Sequence, residues 1–315
     1  MTTATIRAGG RTLEISRADK VLFPDAGLTK RDLAEYYRRV ATHLLRHGAD
    51  RYLSLHRFPD GIDGDGFYQK DVPDYFPDWI PRETVRKEDG ELDQMWLTDA
   101  ATLVYLADQA CITPHVWLSR RDEPERPDRI IFDFDPPGDE FGPVLEAARS
   151  VDVLLDEVDA TPFVMTTGSR GLHVVVPLRR EAGFDEVRDT SRRLAELAVS
   201  RSPELLTLAQ RKNRRGEKVF VDTLRNARAQ TAVAPYAVRA RPGAPVATPL
   251  SRDELGRSDI QPRKWTIENL FRRLGSKDDP WKGMGRHRVS PSLLRERIDR
   301  LQEAEASEEG SERDT

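Results

Sequence analysis

Three short stretches of the 315-residue chain hold residues that could do chemistry together. The first, Arg129-Ile130-Ile131-Phe132-Asp133-Phe134-Asp135-Pro136-Pro137, is an apolar run that ends in two carboxylates and is cut off by two prolines. A β-branched, aromatic run bounded by proline reads as a buried strand, in which residues i and i+2 share a face, so Asp133 and Asp135 point the same way. At a rise of about 3.3 Å per residue their carboxylates start roughly 6–7 Å apart. That spacing suits a bridge across two divalent cations ~3.5–4 Å from each other. Without a cation, two buried acids repel and one of them stays protonated. Asp-x-Asp alone is a weak motif, also compatible with strand-end acids that face water or cap the next helix.

The second stretch, Thr166-Thr167-Gly168-Ser169-Arg170-Gly171-Leu172-His173-Val174-Val175-Val176-Pro177-Leu178, sets a glycine-rich turn with a hydroxyl and a guanidinium directly before a buried strand carrying His173. Turns of this kind present backbone N–H groups to phosphates. The third, Val219-Phe220-Val221-Asp222, is another strand ending in an acid. Three acids at strand ends, a phosphate-type turn and a strand histidine are the components of two-metal phosphoryl transfer.

In this order and spacing, Asp-Phe-Asp-Pro, Gly-Ser-Arg-Gly-Leu-His and Val-Phe-Val-Asp resemble the three motifs of the archaeo-eukaryotic primase superfamily. Asp19-Lys20-Val21-Leu22-Phe23-Pro24 near the start and Thr231-Ala232-Val233-Ala234-Pro235-Tyr236 after the third motif are similar to the polymerase domain of bacterial end-joining DNA ligase D. The resemblance runs from about residue 10 to about residue 290.

The elements that must position these residues follow from periodicity. Residues 5–15 alternate around Gly9-Gly10, as in a hairpin. Thr29, with Asp32 in the first turn, caps a helix whose apolar positions Leu33, Tyr36, Tyr37, Val40 and Leu44 keep the 3–4 spacing. A strand over 52–59, a loop or hairpin and a strand ending in Trp96-Leu97 within 82–98, a helix capped by Thr98-Asp99 and a strand over 112–117 come next. Pro143 opens a helix through Val158. Helices over 184–200, 266–274 and 291–304 and a strand over 232–238 complete the set. The proline- and charge-rich stretch 240–265 is expected to wrap the surface, with Pro280-Trp281 as an anchor. The expected organisation is one catalytic domain over residues 1–300, then an acidic tail, 301–315, expected to be disordered from its Ser-rich part, 305–315, which lacks large apolar residues.

Composition narrows the function classes. The net charge of −4 argues against a uniformly basic nucleic-acid binder, yet nine Lys/Arg stand against two acids between Arg211 and Arg241. Arg211, Lys212, Arg214 and Arg215 lie in a stretch with no apolar periodicity just ahead of Asp222, a position that favours phosphate contact over a merely solvated face. Asn226, Arg228, Gln230 and Arg239 continue the polar lining. Cys111 is the only cysteine, which removes any internal disulfide or thiolate zinc site. No basic-then-apolar leader and no apolar run of about 20 residues occurs, so a cytoplasmic, nucleoid-associated enzyme without membrane contact is expected.

The resemblance implies an α+β fold, with two mixed or antiparallel sheets facing each other across a catalytic cleft and helices outside. It implies a template-dependent nucleotidyltransferase adding NTPs or dNTPs to a primer 3′-hydroxyl at short gaps or broken ends. Asp133, Asp135 and Asp222 would hold two Mn²⁺ or Mg²⁺ ions, with a preference for manganese and for ribonucleotides. Ser169, Arg170, Gly171, His173, His115, Gln230 and Arg239 would line the nucleotide site. Lys20 and Lys30 would hold a downstream 5′-phosphate. In Gly66-Phe67-Tyr68-Gln69-Lys70 the family places an aromatic pair against template bases; alternation puts one of the pair inside, and Phe67 is favoured over Tyr68, with Lys70 and Arg228 on DNA. Ku and a separate ligase are partners by analogy. Two alternatives stay open: a metal-dependent nuclease or phosphoesterase using the same acids, and a non-catalytic module that binds DNA ends.

Overall fold

A computed structural model describes residues 2–87 and 90–313. Ten strands build two principal sheets: β1 (Leu53–Arg57), β2 (Phe67–Gln69), β3 (Cys111–Trp117), β4 (Arg129–Asp135), β5 (Phe163–Thr166), β6 (Leu172–Pro177), β7 (Leu206–Thr207), β8 (Val219–Asp222), β9 (Thr231–Val233) and β10 (Thr248–Leu250). The larger sheet has the order β7-β8-β4-β6-β5-β10 and is antiparallel except at β7/β8. The smaller, β9-β3-β1-β2, is antiparallel throughout. β3 and β6 are buried at every position, and β4 at all but Asp135. Strands covered on both faces lose the polar–apolar alternation of half-solvated ones, which is why these three read as continuous apolar runs.

Six helices surround the sheets: α1 (Lys30–Gly48), α2 (Ala100–Asp108), α3 (Gly142–Glu157), α4 (Phe184–Arg201), α5 (Leu270–Ser276) and α6 (Pro291–Arg313). Thr29 and Asp32 close a capping box at the start of α1, satisfying two backbone donors that a helix N-terminus leaves open. The buried stripe of α1 includes all five residues expected from the spacing. Two of them also fasten the helix to distant chain: the Tyr36 hydroxyl donates to the Tyr236 carbonyl at 2.7 Å and that of Tyr37 to the Ile112 carbonyl at 2.6 Å. α1 packs on α2, while α3 and α4 pack against β4. The stretch read as a loop or hairpin is the hairpin Arg82–Lys87/Gly90–Met95, whose second strand stops one residue short of Trp96 and whose residues 88–89 lie outside the described ones.

The architecture matches the expected α+β cleft fold, with local corrections. The strand expected over 232–238 is only Thr231–Val233, because the chain turns at Tyr236, whose φ of 67° is left-handed. The stretch 240–265 does not merely wrap the surface: Ala244, Val246 and Ala247 are fully buried, and β10 adds an edge strand to the larger sheet. An edge is the one place where a strand tolerates Pro249, which has no N–H to donate. Trp281 is the anchor that was expected, buried with its indole N–H donating to the Val164 carbonyl at 2.9 Å. The last helix runs on to Arg313, past the end expected at 304, and 314–315 lie outside the described residues. Among the described residues no helix is long and apolar enough to cross a membrane.

Candidate active site

β4 lies between β8 and β6, and its register places Asp133 directly opposite Asp222 on one side and His173 on the other. Residues directly opposite in an antiparallel pair share a face, so the three side chains emerge together, with Asp135 two residues farther along the same face. Three motifs separated widely in sequence are thus adjacent on one sheet.

Asp133 is 8% exposed and faces an imidazole and a guanidinium of the chain itself. His173 Nε2 stands 3.4 Å from its Oδ1, and Arg225 Nε 3.5 Å from its Oδ2. Burial opposes its charge, but His173 and Arg225 outweigh burial and hold the carboxyl at about 2. Asp135 and Asp222 go the other way. Burial raises both above the usual carboxylate range, the charge of Asp133 raises them further, and the bond from the Leu224 N–H to Asp222 Oδ1 at 2.7 Å only partly compensates. Burial, followed by the charge of Asp133, thus disfavours the ionised form of both, a cost a bound cation would relieve, and an all-carboxylate donor set suits a hard divalent cation. As arranged, no three carboxylates or imidazoles among the described residues stand close enough together to hold an ion.

The turn between β5 and β6 explains its glycines. A Cβ on Gly171 would sit 2.1 Å from the Phe134 carbonyl oxygen, so the turn lies directly on the backbone of β4 between the two acids. Gly168 has φ of 67°, and a Cβ there would meet Arg239 Cγ at 2.8 Å. The Thr167 hydroxyl accepts from the Ser169 N–H at 3.4 Å and the Gly171 N–H at 3.3 Å. Those two N–H groups therefore turn inward, so the turn offers a phosphate fewer backbone donors than expected. Its side chains remain available, with Arg170 exposed and Ser169 half-buried.

Across a cavity of about 220 Å³, the smaller sheet contributes Tyr68, His115 and Thr231. His115 is buried, its Nε2 has no hydrogen-bond partner among the described residues, and burial followed by the charge of Arg239 keeps it well below the usual histidine range, hence neutral. Arg239 donates to the Thr167 carbonyl at 3.2 Å and lines the same cavity with Arg225 and Arg241. The cavity is therefore lined by carboxylates, Asp133 and Asp135, and by arginines, Arg170, Arg225, Arg239 and Arg241, a set that fits a polyanion held beside a metal-binding edge.

Residues 29–281 match the LigD primase-polymerase domain family. The chain belongs to that family. It is 34% identical over 296 residues to the multifunctional non-homologous end joining protein LigD of Pseudomonas aeruginosa, covering 92% of this chain and 35% of that protein. It is 30% identical over 271 residues to the bifunctional non-homologous end joining protein LigD of Bacillus subtilis, covering 85% of this chain and 43% of that one. The chain thus spans about a third to two fifths of the length of these curated relatives. Among solved structures it resembles the polymerase domain of Mycobacterium tuberculosis ligase D in complex with DNA, with a TM-score of 0.82 at 30% identity, over 88% of this chain and 99% of that one. Membership makes the chain a nucleotidyltransferase with a primase-polymerase role.

The other residues expected at the LigD-type site fall into two groups. Ser169, Arg170, Gly171, His173, His115 and Arg239 converge on the cavity, whereas Gln230 is exposed and does not line it. Arg211, Lys212 and Arg214 are exposed on a short 3₁₀ turn, while Arg215 folds back over the Phe220 ring at 3.8 Å. Arg228 is paired with Glu125 at 2.6 Å. Lys70 is exposed. Lys20 bonds Asp60 at 2.7 Å, and Lys30 is 3% exposed with its ammonium on the Asp108 carbonyl at 2.8 Å, so the two lysines do not form an open pair.

Both members of the aromatic pair are exposed, correcting the expectation that one is core. Phe67 lies under Arg57 at 5.5 Å, and Tyr68 stacks on His56 at 4.1 Å and lines the cavity. Tyr68, Arg225 and Arg241 were missed as site residues. Asn226, read as polar lining, is fully buried. An arginine next to Asn226 and three residues from Asp222 was the available signal for Arg225.

Proposed function

We propose that this chain is a template-dependent nucleotidyltransferase of DNA repair that adds NTPs or dNTPs to a primer 3′-hydroxyl at short gaps or double-strand break ends. The observation that carries the reading is the register that sets Asp133 between Asp222 and His173, with the Ser169–Arg170 turn seated on the same strand. Two Mn²⁺ or Mg²⁺ ions on Asp133, Asp135 and Asp222 would lower the pKa of the attacking hydroxyl and neutralise charge on the triphosphate. Arg170, Arg239 and His173, with the Ser169 hydroxyl, bind the triphosphate and stabilise charge growing on the leaving pyrophosphate. Arg225 gives up Asp133 when the site fills and becomes a further phosphate contact. Tyr68 and Phe67 offer ring faces to template bases, where stacking is worth about 1–3 kcal/mol per base. The DNA-bound solved relative and the exposed basic turn support nucleic acid as substrate. Ribonucleotide and manganese preferences, and work beside Ku and a separate ligase, follow from the family likeness.

Primer extension on gapped DNA, comparing NTP with dNTP and Mg²⁺ with Mn²⁺, tests the reading. Asp133→Asn and Asp222→Asn should each abolish extension while DNA binding persists. Extension by the Asp222 variant near the wild-type rate would overturn the assignment of the acids.

A further inference from the structure

We propose that a second, arginine-lined pocket, at the opposite end of β4 from Asp133, binds a phosphate-class oxyanion. The pocket is a cavity of about 110 Å³ lined by Arg46, Arg120, Arg129 and Arg288 together with Asp128. Arg129 opens β4 four residues before Asp133, about 13 Å along the strand at ~3.3 Å per residue. None of the residues lining it lines the cleft. The inference therefore does not depend on the polymerase reading.

The charges in this region do not balance. Asp128, 4% exposed, is shared by three arginines: Arg51 binds its Oδ2, Arg120 Nε lies 3.3 Å from the same oxygen, and Arg129 Nε 2.9 Å from Oδ1. Arg46 is answered by Asp279 at 2.8 Å, and Arg288 has no hydrogen-bond or ion-pair partner among the described residues. Five guanidiniums, those of Arg46, Arg51, Arg120, Arg129 and Arg288, thus face two carboxylates, Asp128 and Asp279. His47 adds no charge of its own, because burial keeps it below its ordinary value despite its bond to Asp279. Burial and the neighbouring Arg129 also push Arg51 down to about 9, the mark of crowded like charge.

The buried pair Arg51 and Arg129 is matched by the buried Asp128 and Asp279, whereas Arg46, Arg120 and Arg288 reach solvent, so the unmatched positive charge lies at the open side of the pocket, where an anion can meet it. Arg51 has no capacity left, since its remaining donors go to the carbonyls of His47, Trp117 and Ser119. Arg129 donates to protein only through Nε, which leaves both Nη groups for a ligand at the cavity wall. A fork of N–H donors on a planar cation matches the oxygens of phosphate, and Gly283 and Gly285 keep the rim clear of side chains. The oxyanion can be free phosphate or a phosphate of the nucleic-acid backbone.

The test is calorimetric titration of the full chain with inorganic phosphate at fixed ionic strength, beside a chloride titration. Arg288 is exposed and makes no contact that folding requires, so R288E should fold and bind phosphate at least tenfold more weakly, while R288K retains most of the affinity. R170A, altered in the cleft, should keep the signal of this pocket. An R288E isotherm identical to wild type, loss confined to R170A, or an equal response to chloride would each overturn the proposal. Duplex binding by R288E distinguishes the sources: weaker DNA binding assigns the site to a backbone phosphate, and unchanged DNA binding assigns it to the free ion.

Discussion

Asn226 occupies both backbone hydrogen-bonding groups of Ile131: its Oδ1 accepts from the Ile131 N–H at 2.8 Å, and its Nδ2 donates to the Ile131 carbonyl at 2.8 Å. β8 pairs with β4 only as far as Asp222, so the amide of Asn226 stands where the next strand residue would. It thereby holds the 223–226 turn, including Arg225, against the strand of Asp133. Asn226→Ala leaves two buried backbone groups unpaired and should cost about 2–4 kcal/mol. Urea unfolding measures this, and Asn226→Asp, which cannot donate to the carbonyl, should recover only part of the loss.

Gly171→Ala should be far more severe than a usual loop substitution. The added methyl would collide with the Phe134 carbonyl at 2.1 Å, and backbone is on both sides of the clash. Strand separation or turn geometry has to change, at a cost on the order of 3 kcal/mol or more. Thermal melting should report the loss. Primer extension should fall further than melting explains, because Ser169 and Arg170 move with the turn.

Lys20 and Lys30 should separate in experiment although both match family positions. Lys30 is buried against Asp108, with Nζ to Oδ1 at 3.2 Å and to Ser16 Oγ at 3.2 Å. Lys30→Ala removes the cation from that carboxylate, which keeps only the neutral donors of Ser16 and Gln109, and should destabilise the fold by about 1–3 kcal/mol. Lys20 is the lysine that can reach a DNA end by exchanging Asp60. Lys20→Ala should leave stability unchanged and reduce the preference for a gap with a downstream 5′-phosphate over one with a 5′-hydroxyl, measured by titrating both substrates. Equal preference in wild type and Lys20→Ala would remove Lys20 from end recognition.

Glu254 gives a pH prediction away from the acids of the cleft. It accepts from Arg273 Nη1 at 2.6 Å, from the Ser251 N–H at 2.9 Å and from Lys277 at 3.1 Å. Burial alone would raise it, but these partners hold it at about 2 against an ordinary 4.5. A carboxyl whose folded value is depressed binds more protons when unfolded, so stability rises with pH across this window. The contribution of Glu254 is complete above pH 4.5 and disappears as pH falls toward 2. Glu254→Gln should flatten the dependence of the unfolding midpoint on pH within that window and leave its slope above pH 6 unchanged.

Much of the site was legible because its signals are local. Proline-bounded apolar runs marked β4, the Thr29/Asp32 box marked α1, and alternation put Asp133 and Asp135 on one face. What was not legible depends on partners far along the chain. Alternation made Phe67 and Tyr68 point oppositely, yet only the pairing of β2 at a sheet edge shows that both faces are open there. Lys30, matched by resemblance to a 5′-phosphate contact, gave no sign of being buried because Asp108, its partner, lies 78 residues away. Asn226 in a polar stretch gave no hint of Ile131, 95 residues earlier. The short Ala and Val pieces between prolines at 244–250 have too little periodicity to declare that they are core.

The pairing of Asp133 with Asp222 and His173 also sets which changes of chain length the protein can absorb. Side chains on a strand alternate, so one residue inserted within β4 would turn both acids to the opposite face and set them against the hydrophobic packing of α3 and α4. The same insertion in the exposed turn at Lys212–Arg214 changes only the length of a loop, whose closure entropy depends weakly on residue number. Homologous chains should therefore keep the length of β4 and of the turn from Thr167 to Gly171 constant, and concentrate their insertions and deletions between β7 and β8.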